Sequence, residues 1–457
     1  MLLLDLDALQ WLLLAWPVAL VLILLLSSLK RTPVCGLSFF YILGLALIHV
    51  PGATLLNIEW YVYYPTNLVY TGFAQSTLGV IAFTLGVLAV MFFQSLRPAA
   101  AREDAREVPL VPELATRLAL LAAAFGLASS MVLPYLSFIP SATALFGWLG
   151  QLPVVAICIM IALKKLRPGQ LPWRWLGVAL LFPVATAMLS GFLGFGVMSL
   201  LLICCFVVSR VRLRPQHLLL ALALGYLMLS LFVTYMRDRV ILREAVWYQE
   251  RSTQEVVTGM LTDFEWFDPD DPQHLRRIDM RLNQNWLIGA AVQHIELGRQ
   301  DFLGMDLLLG AAFAVIPRAI WPDKPGVGGG GDVVSRLTGE EFEASTSVGA
   351  GQVLEFYGSY GTTSVFIGML LLGVLLAWCD VRARKALDQR RYFAFTRWFL
   401  PGMALCQPGG NLTELSSGMI SALIAAVLTH FLFERYLRRK RKHEARAAGR
   451  PAVQGHT

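Results

Sequence analysis

"QHLLLALALGYLMLSLFVTY", residues 216–235, is twenty residues long and contains no Asp, Glu, Lys or Arg. Wound as a helix rising about 1.5 Å per residue, it spans roughly 30 Å, the thickness of a bilayer's hydrocarbon core. Runs of the same kind recur on both sides of it, at 9–29, 35–50, 73–93, 116–133, 144–163, 174–190, 194–209, 358–379, 393–408 and 416–433. Together these eleven runs predict an all-α polytopic integral membrane protein. Composition agrees: 56% of the 457 residues are hydrophobic and 15% are charged, against about 25% charged in soluble domains. The mean hydropathy is +0.59. The first run has no basic segment before it and no small-residue cleavage site after it, so it is expected to be a retained span and not a signal peptide.

The net charge of +7 does not indicate nucleic acid, because the positions of the cations argue for topology. Twenty-seven of the 38 Lys and Arg residues fall in six segments, around 30–31, 94–117, 164–174, 210–214, 382–397 and 435–450. These alternate to one side of the eleven-span arrangement, which makes that side cytoplasmic and places the N-terminus outside. The other eleven are Arg237, Arg239, Arg243, Arg251, Arg276, Arg277, Arg281, Arg299, Arg318, Lys324 and Arg336. All lie in one stretch, 236–357, expected to be a single large external loop. The organisation read from sequence is a membrane domain over 1–235, the loop over 236–357, a second membrane domain over 358–433 and a basic cytoplasmic tail over 434–457. The chain is expected to be multi-pass.

Within the loop, "RRIDMRLNQNWLIGAAVQHIEL" (276–297) has helical character. Arg277, Arg281 and Asn285 share one face, and a helix lying on the membrane with its arginines upward fits that pattern. The apolar run 302–316 is short, the length of a re-entrant or interfacial helix. It runs into "IPRAIWPDKPGVGGGG" (316–331). Pro317, Pro322 and Pro325 stop any helix and stiffen the chain. Trp321 suits a membrane–water interface, and Arg318 and Lys324 place cations beside it. Gly326 and Gly328–Gly331 supply a hinge. Two readings fit this corner, a clamp for a pyrophosphate at the bilayer surface and a solvated, interface-anchored turn.

The corner, with "STSVGAGQVLEFYGSYG" (345–361) downstream, resembles the bacterial O-antigen polymerase family, the Wzy-like oligosaccharide repeat-unit polymerases. That family carries an I-P-R-x-x-W-P-D-K-P corner and an E-x-Y-x-N-x-G stretch in its large external loop. Here the second stretch reads Glu355, Tyr357, Ser359 and Gly361, with Ser359 in place of Asn. The resemblance implies a GT-C-like architecture and an inverting, metal-independent glycosyl transfer at the periplasmic face. The donor would be a growing glycan on undecaprenyl pyrophosphate and the acceptor a second lipid-linked repeat unit. No cofactor is implied. The partners implied are the undecaprenyl-pyrophosphate-linked oligosaccharide, membrane lipids, a chain-length regulator and a flippase, and no nucleic acid.

A departing pyrophosphate develops negative charge that fixed Arg and Lys stabilise. The candidates for holding it are Arg237, Arg239, Arg243, Arg277, Arg281, Arg318 and Lys324, with Arg318 gripping bidentately and Lys324 acting as a point charge. Trp321 and Tyr357 are candidate glycan contacts. The acceptor hydroxyl needs a base; Asp323, Glu355 and His294 are the catalytic candidates, with Asp238 and Glu244 beside them. Each has a bland alternative. Asp323 would pair with Lys324 or Arg318, and His294, on a continuous helix, would lie about 140° round from Arg281. His49 and His430 are expected at the interface, and "DFEWFDPDDPQH" (263–274) as a solvated acidic turn without calcium-loop spacing. The six cysteines are expected to be small buried hydrophobes with no disulfide framework, and no metal site is expected. Two competing functions remain, an O-antigen ligase-type transfer and a lipid-linked oligosaccharide flippase or transporter. The latter would place ionisable groups at the membrane midplane.

Overall fold

The computed structural model describes residues 6–28, 34–96, 109–136, 139–164, 170–211, 214–248, 252–317, 320–321, 323–324, 330–342, 349 and 351–447. Among these there is no strand. The helices are α1 (Leu6–Ser28), α2 (Leu37–Leu55), α3 (Thr66–Leu96), α4 (Pro112–Val132), α5 (Pro140–Leu149), α6 (Leu152–Leu163), α7 (Trp173–Ala179), α8 (Leu181–Ser190), α9 (Leu193–Val208), α10 (Pro215–Tyr248), α11 (Thr253–Thr262), α12 (Pro272–Leu282), α13 (Asn285–Glu296), α14 (Asp306–Ala314), α15 (Gly330–Thr338), α16 (Gly351–Asp388), α17 (Tyr392–Leu405) and α18 (Leu412–Ala447). Nine stretches of the described residues are long and apolar enough to cross a membrane, and the chain is a multi-pass membrane protein. Nine of the eleven expected spans coincide with them. The other two, 194–209 and 393–408, are the 16-residue α9 and the 14-residue α17, about 24 and 21 Å long and thus shorter than a hydrocarbon core. All six cysteines are free, five of them buried.

The expected boundary at residue 236 is not an end of structure. With no Pro or Gly between Tyr226 and Tyr248, α10 runs on through 34 residues, roughly 50 Å. Its upper part is tied to neighbours: Tyr235 donates to the Gly191 carbonyl and Trp247 to that of Ser190. Its lower part is exposed on successive faces at Leu218, Leu219, Leu222, Leu224 and Leu227, and a methyl added to Gly225 would meet nothing within 4 Å. That half of the helix stands clear of the bundle.

The expected single helix over 276–297 is two. Asn283 leaves helical geometry at φ −133° and ψ 82°. Its amide donates to Asp279 and its oxygen accepts from the Asn285 backbone N–H, the local side-chain bonding that competes with a helix. The Gln284 N–H turns to the Ile48 carbonyl of α2 at 2.9 Å. Beyond the break, α13 packs into the helix bundle. Leu287, Ile288, Ala290 and Ala291 are buried, and α13 crosses α3 at backbone contact. A methyl on Gly289 would collide with the Leu68 carbonyl, and one on Gly72 with that of Asn285. Small residues are what permit such an approach. The same crossing buries His49, expected at an interface. It is 2% exposed and bonded through Nδ1 to Asn285 and Ser76 at 2.8 and 3.2 Å. His430, by contrast, keeps partial exposure beside Phe393 and Glu434.

The span expected at 358–379 is the second arm of a hairpin. Tyr360 and Gly361 break α16, with Gly361 at φ 71°, a conformation open to glycine. The arms fold back on each other: a methyl on Gly79 of α3 would sit 3.3 Å from both Val353 and Met369, residues some 24 Å apart on a straight helix. The arm 351–359 therefore dips back among α2, α3 and the α17–α18 turn. Gln352 fixes its start, accepting from the Tyr41 hydroxyl and donating to the Gln407 and Gly410 carbonyls.

The second arm carries Asp380, fully buried, which accepts from the backbone N–H groups of Cys35 and Ser38 and so caps the start of α2. Hydrogen bonds to a charged group contribute about 1.5–3 kcal/mol each. Asp380→Ala is expected to lower stability by about 3 kcal/mol or more, read as a fall in melting temperature in detergent, while Asp380→Asn retains an acceptor and loses less. Equal melting temperatures for all three chains would remove this role.

Candidate functional site

The arginines predicted as a group separate into two sets. Arg237, on α10, forms ion pairs with Asp238 at 2.6 Å and Glu265 at 2.8 Å. Arg277, on α12, binds the other Glu265 oxygen, and His274 approaches the same oxygen at 3.3 Å. Two guanidinium groups are thus answered by two carboxylates. The segment 263–274, expected as a solvated turn, is instead a strap on α10: Tyr226, Ser230 and Thr234 hydrogen-bond to the backbone of Phe267 and Glu265, and Asp271 caps α12.

Burial alone would raise the Glu265 carboxyl, but the Arg237 and Arg277 bonds prevail and hold it at about 2, against an ordinary 4.5. A carboxyl depressed in the folded state stabilises above its unfolded value and loses that contribution as pH falls through the folded one. The stability gap between wild type and Glu265→Gln should therefore be widest above about pH 4.5 and close progressively toward about pH 2. Thermal melts of both chains across this range check it; a gap that does not vary with pH refutes it.

The second set is Arg239 and Arg243 of α10 with Arg281 near the end of α12. Among the described residues, no hydrogen bond or ion pair joins any of the three to a carboxylate. They lie close enough to repel one another. The Nε atoms of Arg239 and Arg243 are buried and without a hydrogen-bond partner. Arg243 is held over the Phe192 ring at 4.3 Å and the Trp247 ring at 5.7 Å, a cation–π arrangement that fixes its plane without neutralising it. Arg281 keeps an open side chain, yet the protein crowding its guanidinium and the Arg243 charge both hold its pKa below the usual arginine value. Three like charges at the meeting of α10, α12 and the α8–α9 turn form a site that an anion would neutralise.

At the corner, Trp321 packs edge-on to Phe313 at 5.5 Å, Lys324 donates to the Ile316 carbonyl, and Asp323 is exposed. Arg318, Pro322, Pro325 and Gly326–Gly329 lie outside the described residues. Gly330 and Gly331, expected in the hinge, open α15 instead. Glu355 and Tyr357 are on the re-entrant arm of α16. Glu355 is 3% exposed and accepts from the Leu412 N–H at the start of α18, so the structure shows it capping a helix. Tyr357 packs on Phe302, and the His294 ring lies against Gly339. Glu244 is exposed, and so are Arg299 and Arg336.

The sequence reading missed Asp279 and the α2–α3 connection. Asp279 is 3% exposed and accepts from Asn283 and from the Tyr61 hydroxyl; burial raises its pKa, and those two bonds offset part of the rise. Tyr64 stacks on Trp286 with ring centroids 4.5 Å apart, and Arg276 lies over Tyr63 at 5.2 Å. The signal was available as "EWYVYY" (59–64), four aromatics in six residues.

Fold and site together define a multi-pass helical membrane protein with a cationic site where α10 and α12 meet. The chain belongs to the family described as a domain of unknown function, DUF8712, whose model matches residues 34–389. No curated protein and no solved structure matches the chain.

Proposed function

We propose that the protein is a glycosyltransferase that polymerises lipid-linked oligosaccharides at the outer face of a bacterial inner membrane. The observation that carries this reading is the set Arg239, Arg243 and Arg281, three cations with no carboxylate partner among the described residues. The resemblance of the 316–325 corner and the 355–361 stretch to repeat-unit polymerases supplies the reaction. An acceptor sugar hydroxyl attacks the anomeric carbon of the donor from the face opposite the pyrophosphate. The new C–O bond forms as the bond to the phosphate oxygen breaks, and the hydroxyl proton passes to a base. The leaving pyrophosphate gains negative charge, and preorganised guanidinium groups stabilise that charge more than they stabilise the bound donor. Membrane lipids surround the site, so donor and acceptor both arrive from the bilayer. In this reading α9 and α17 also cross, the bilayer thinning locally around them, so the N-terminus and the 236–357 segment are periplasmic and the 434–457 tail is cytoplasmic.

Incubating the purified protein with lipid-linked repeat units tests the reaction. A ladder of lengthening glycan with release of undecaprenyl pyrophosphate supports it, and the ladder should persist in EDTA. Glycan moved across vesicles without lengthening would replace it with the flippase reading, and glycan moved once onto a lipopolysaccharide core with the ligase reading. A reporter fused after Gly298 should be external and one after Arg446 internal; both on one side would refute the topology.

A further inference from the structure

We propose that the α2–α3 connection, through Trp60 and Tyr63, is a saccharide-binding platform that receives the sugar rings joined to the phosphate held by the arginine set. The inference rests on the proposed function for its substrate, but its evidence is separate. Residues 59–64 put four aromatic rings on a short connection, and the structure locks that connection to α12 and α13. The Tyr61 hydroxyl bonds to Asp279, Tyr64 stacks on Trp286 with an interplanar angle of 7°, and Arg276 covers Tyr63. Two rings keep exposed surface: Trp60 is 56% exposed, and Tyr63, with Arg276 over one face, 40%. A pyranose presents a face of C–H hydrogens that packs on the negative face of an aromatic ring. Rings that are already fixed lose little freedom when they bind.

Position and charge narrow the occupant. Tyr64 and Arg281 are close enough to interact electrostatically, so the platform borders the arginine set along α12. In a glycosyl phosphate the first ring is one bridging oxygen from phosphorus. A phosphate at Arg281 therefore places its sugar near Tyr64, whose ring meets Tyr63 at 4.7 Å. Exposed Glu59 and Asn57 offer acceptors and a donor for sugar hydroxyls, and Glu59 would repel an anionic lipid headgroup at the same place. Small-molecule sites commonly combine aromatic walls with a few such polar groups.

The test uses the full chain in nanodiscs and a panel of lipid-free tri- and tetrasaccharides of neutral hexoses, deoxyhexoses, N-acetylhexosamines and uronic acids. At least one saccharide should bind. Trp60→Ala and Tyr63→Ala should each weaken that binding by about tenfold, with Trp60→Phe retaining most of it. Trp266→Ala, which removes another exposed aromatic, should leave it unchanged. Both platform residues are exposed, so loss of fold is not expected; matched melting temperatures confirm it. No binding to any member of the panel, or equal binding by Trp60→Ala, overturns the proposal. Quenching of the Trp60 emission, taken as wild type minus Trp60→Phe, by brominated lipid would also overturn it, by making the ring a bilayer anchor. Saccharide binding at this connection in a chain that does not polymerise sinks the polymerase reading alone. Polymerisation at full rate in both alanine variants, with no saccharide bound, sinks the platform alone.

Discussion

Arg243→Ala is expected to lower the initial rate of glycan lengthening by about 100–1000-fold, the effect of removing one preorganised electrostatic donor, about 2.7–4 kcal/mol. Arg239→Ala and Arg281→Ala should fall in the same range. The structural reason is that, among the described residues, none of the three charges is spent on a carboxylate, so each is available to the leaving group. Arg243→Lys should recover only part of the rate, because an ammonium keeps the charge and loses the planar fork and its stacking on Phe192 and Trp247. Arg237→Ala provides the contrast. Its guanidinium is already paired with Asp238 and Glu265, so its loss should show first in melting temperature. Rates measured at matched expression and membrane insertion decide between the sets. Wild-type rates in all three alanine variants of the unpaired set would remove it from the site and return attention to Arg318, the residue the corner motif selects.

The second large effect is on stability. Gly289→Ala should destabilise by about 3 kcal/mol, at the upper end of overpacking costs. Exchanging Gly for Ala inside a helix ordinarily gains about 0.5–1 kcal/mol, so the expected sign is reversed. The reversal follows from what the methyl meets: the Leu68 main chain of α3, which has no rotamer to change. Gly72→Ala, facing the Asn285 carbonyl, should behave alike. Gly225→Ala, in open space on α10, should be neutral or stabilising. Denaturation in detergent compares the three, and a stable Gly289→Ala would show that α13 can lift from α3 without cost. Because α13 follows α12 after only two residues, lifting it would also displace Arg281, and activity should fall with stability.

The membrane class was legible because twenty-residue apolar runs leave no other solution in water or lipid. Which helices break was less legible. Asn283 reads as an ordinary polar residue on a helical face until the Ile48 carbonyl is brought opposite Gln284. Gly361 reads as part of a glycine-containing motif, while its role is to turn α16 back on itself. For the site, sequence alone supplied seven cationic candidates and favoured Arg318 and Lys324 through the corner motif, with nothing to sort the other five. Neutralisation is a property of pairs: Arg237 and Arg239 are two residues apart, and the turning of both Asp238 and Glu265 to Arg237 separates the paired one from the unpaired one. His49 was misplaced for the same reason. Its depth along α2 suggested an interface, and its burial depends on α1, α3 and α13 closing around it. The aromatic connection at 59–64 is short and lies outside the cation-rich 236–357 stretch, so no charge pattern marks it.

The lower half of α10, clear of its neighbours, has a consequence for assembly. A helix this apolar is stable in lipid before it touches any partner, and its association is a separate, later step. Its side-chain ties to other elements lie from Tyr226 upward, to residues 190–192 and 263–267. The contacts to 190–192 can form as soon as α10 is made, and the strap that follows completes the docking. A nascent chain truncated before residue 263 would hold every preceding helix in the bilayer with Arg237 still without Glu265. Amide exchange on the finished protein should show the same order in reverse, with the end below Leu227 opening at the lowest free energy.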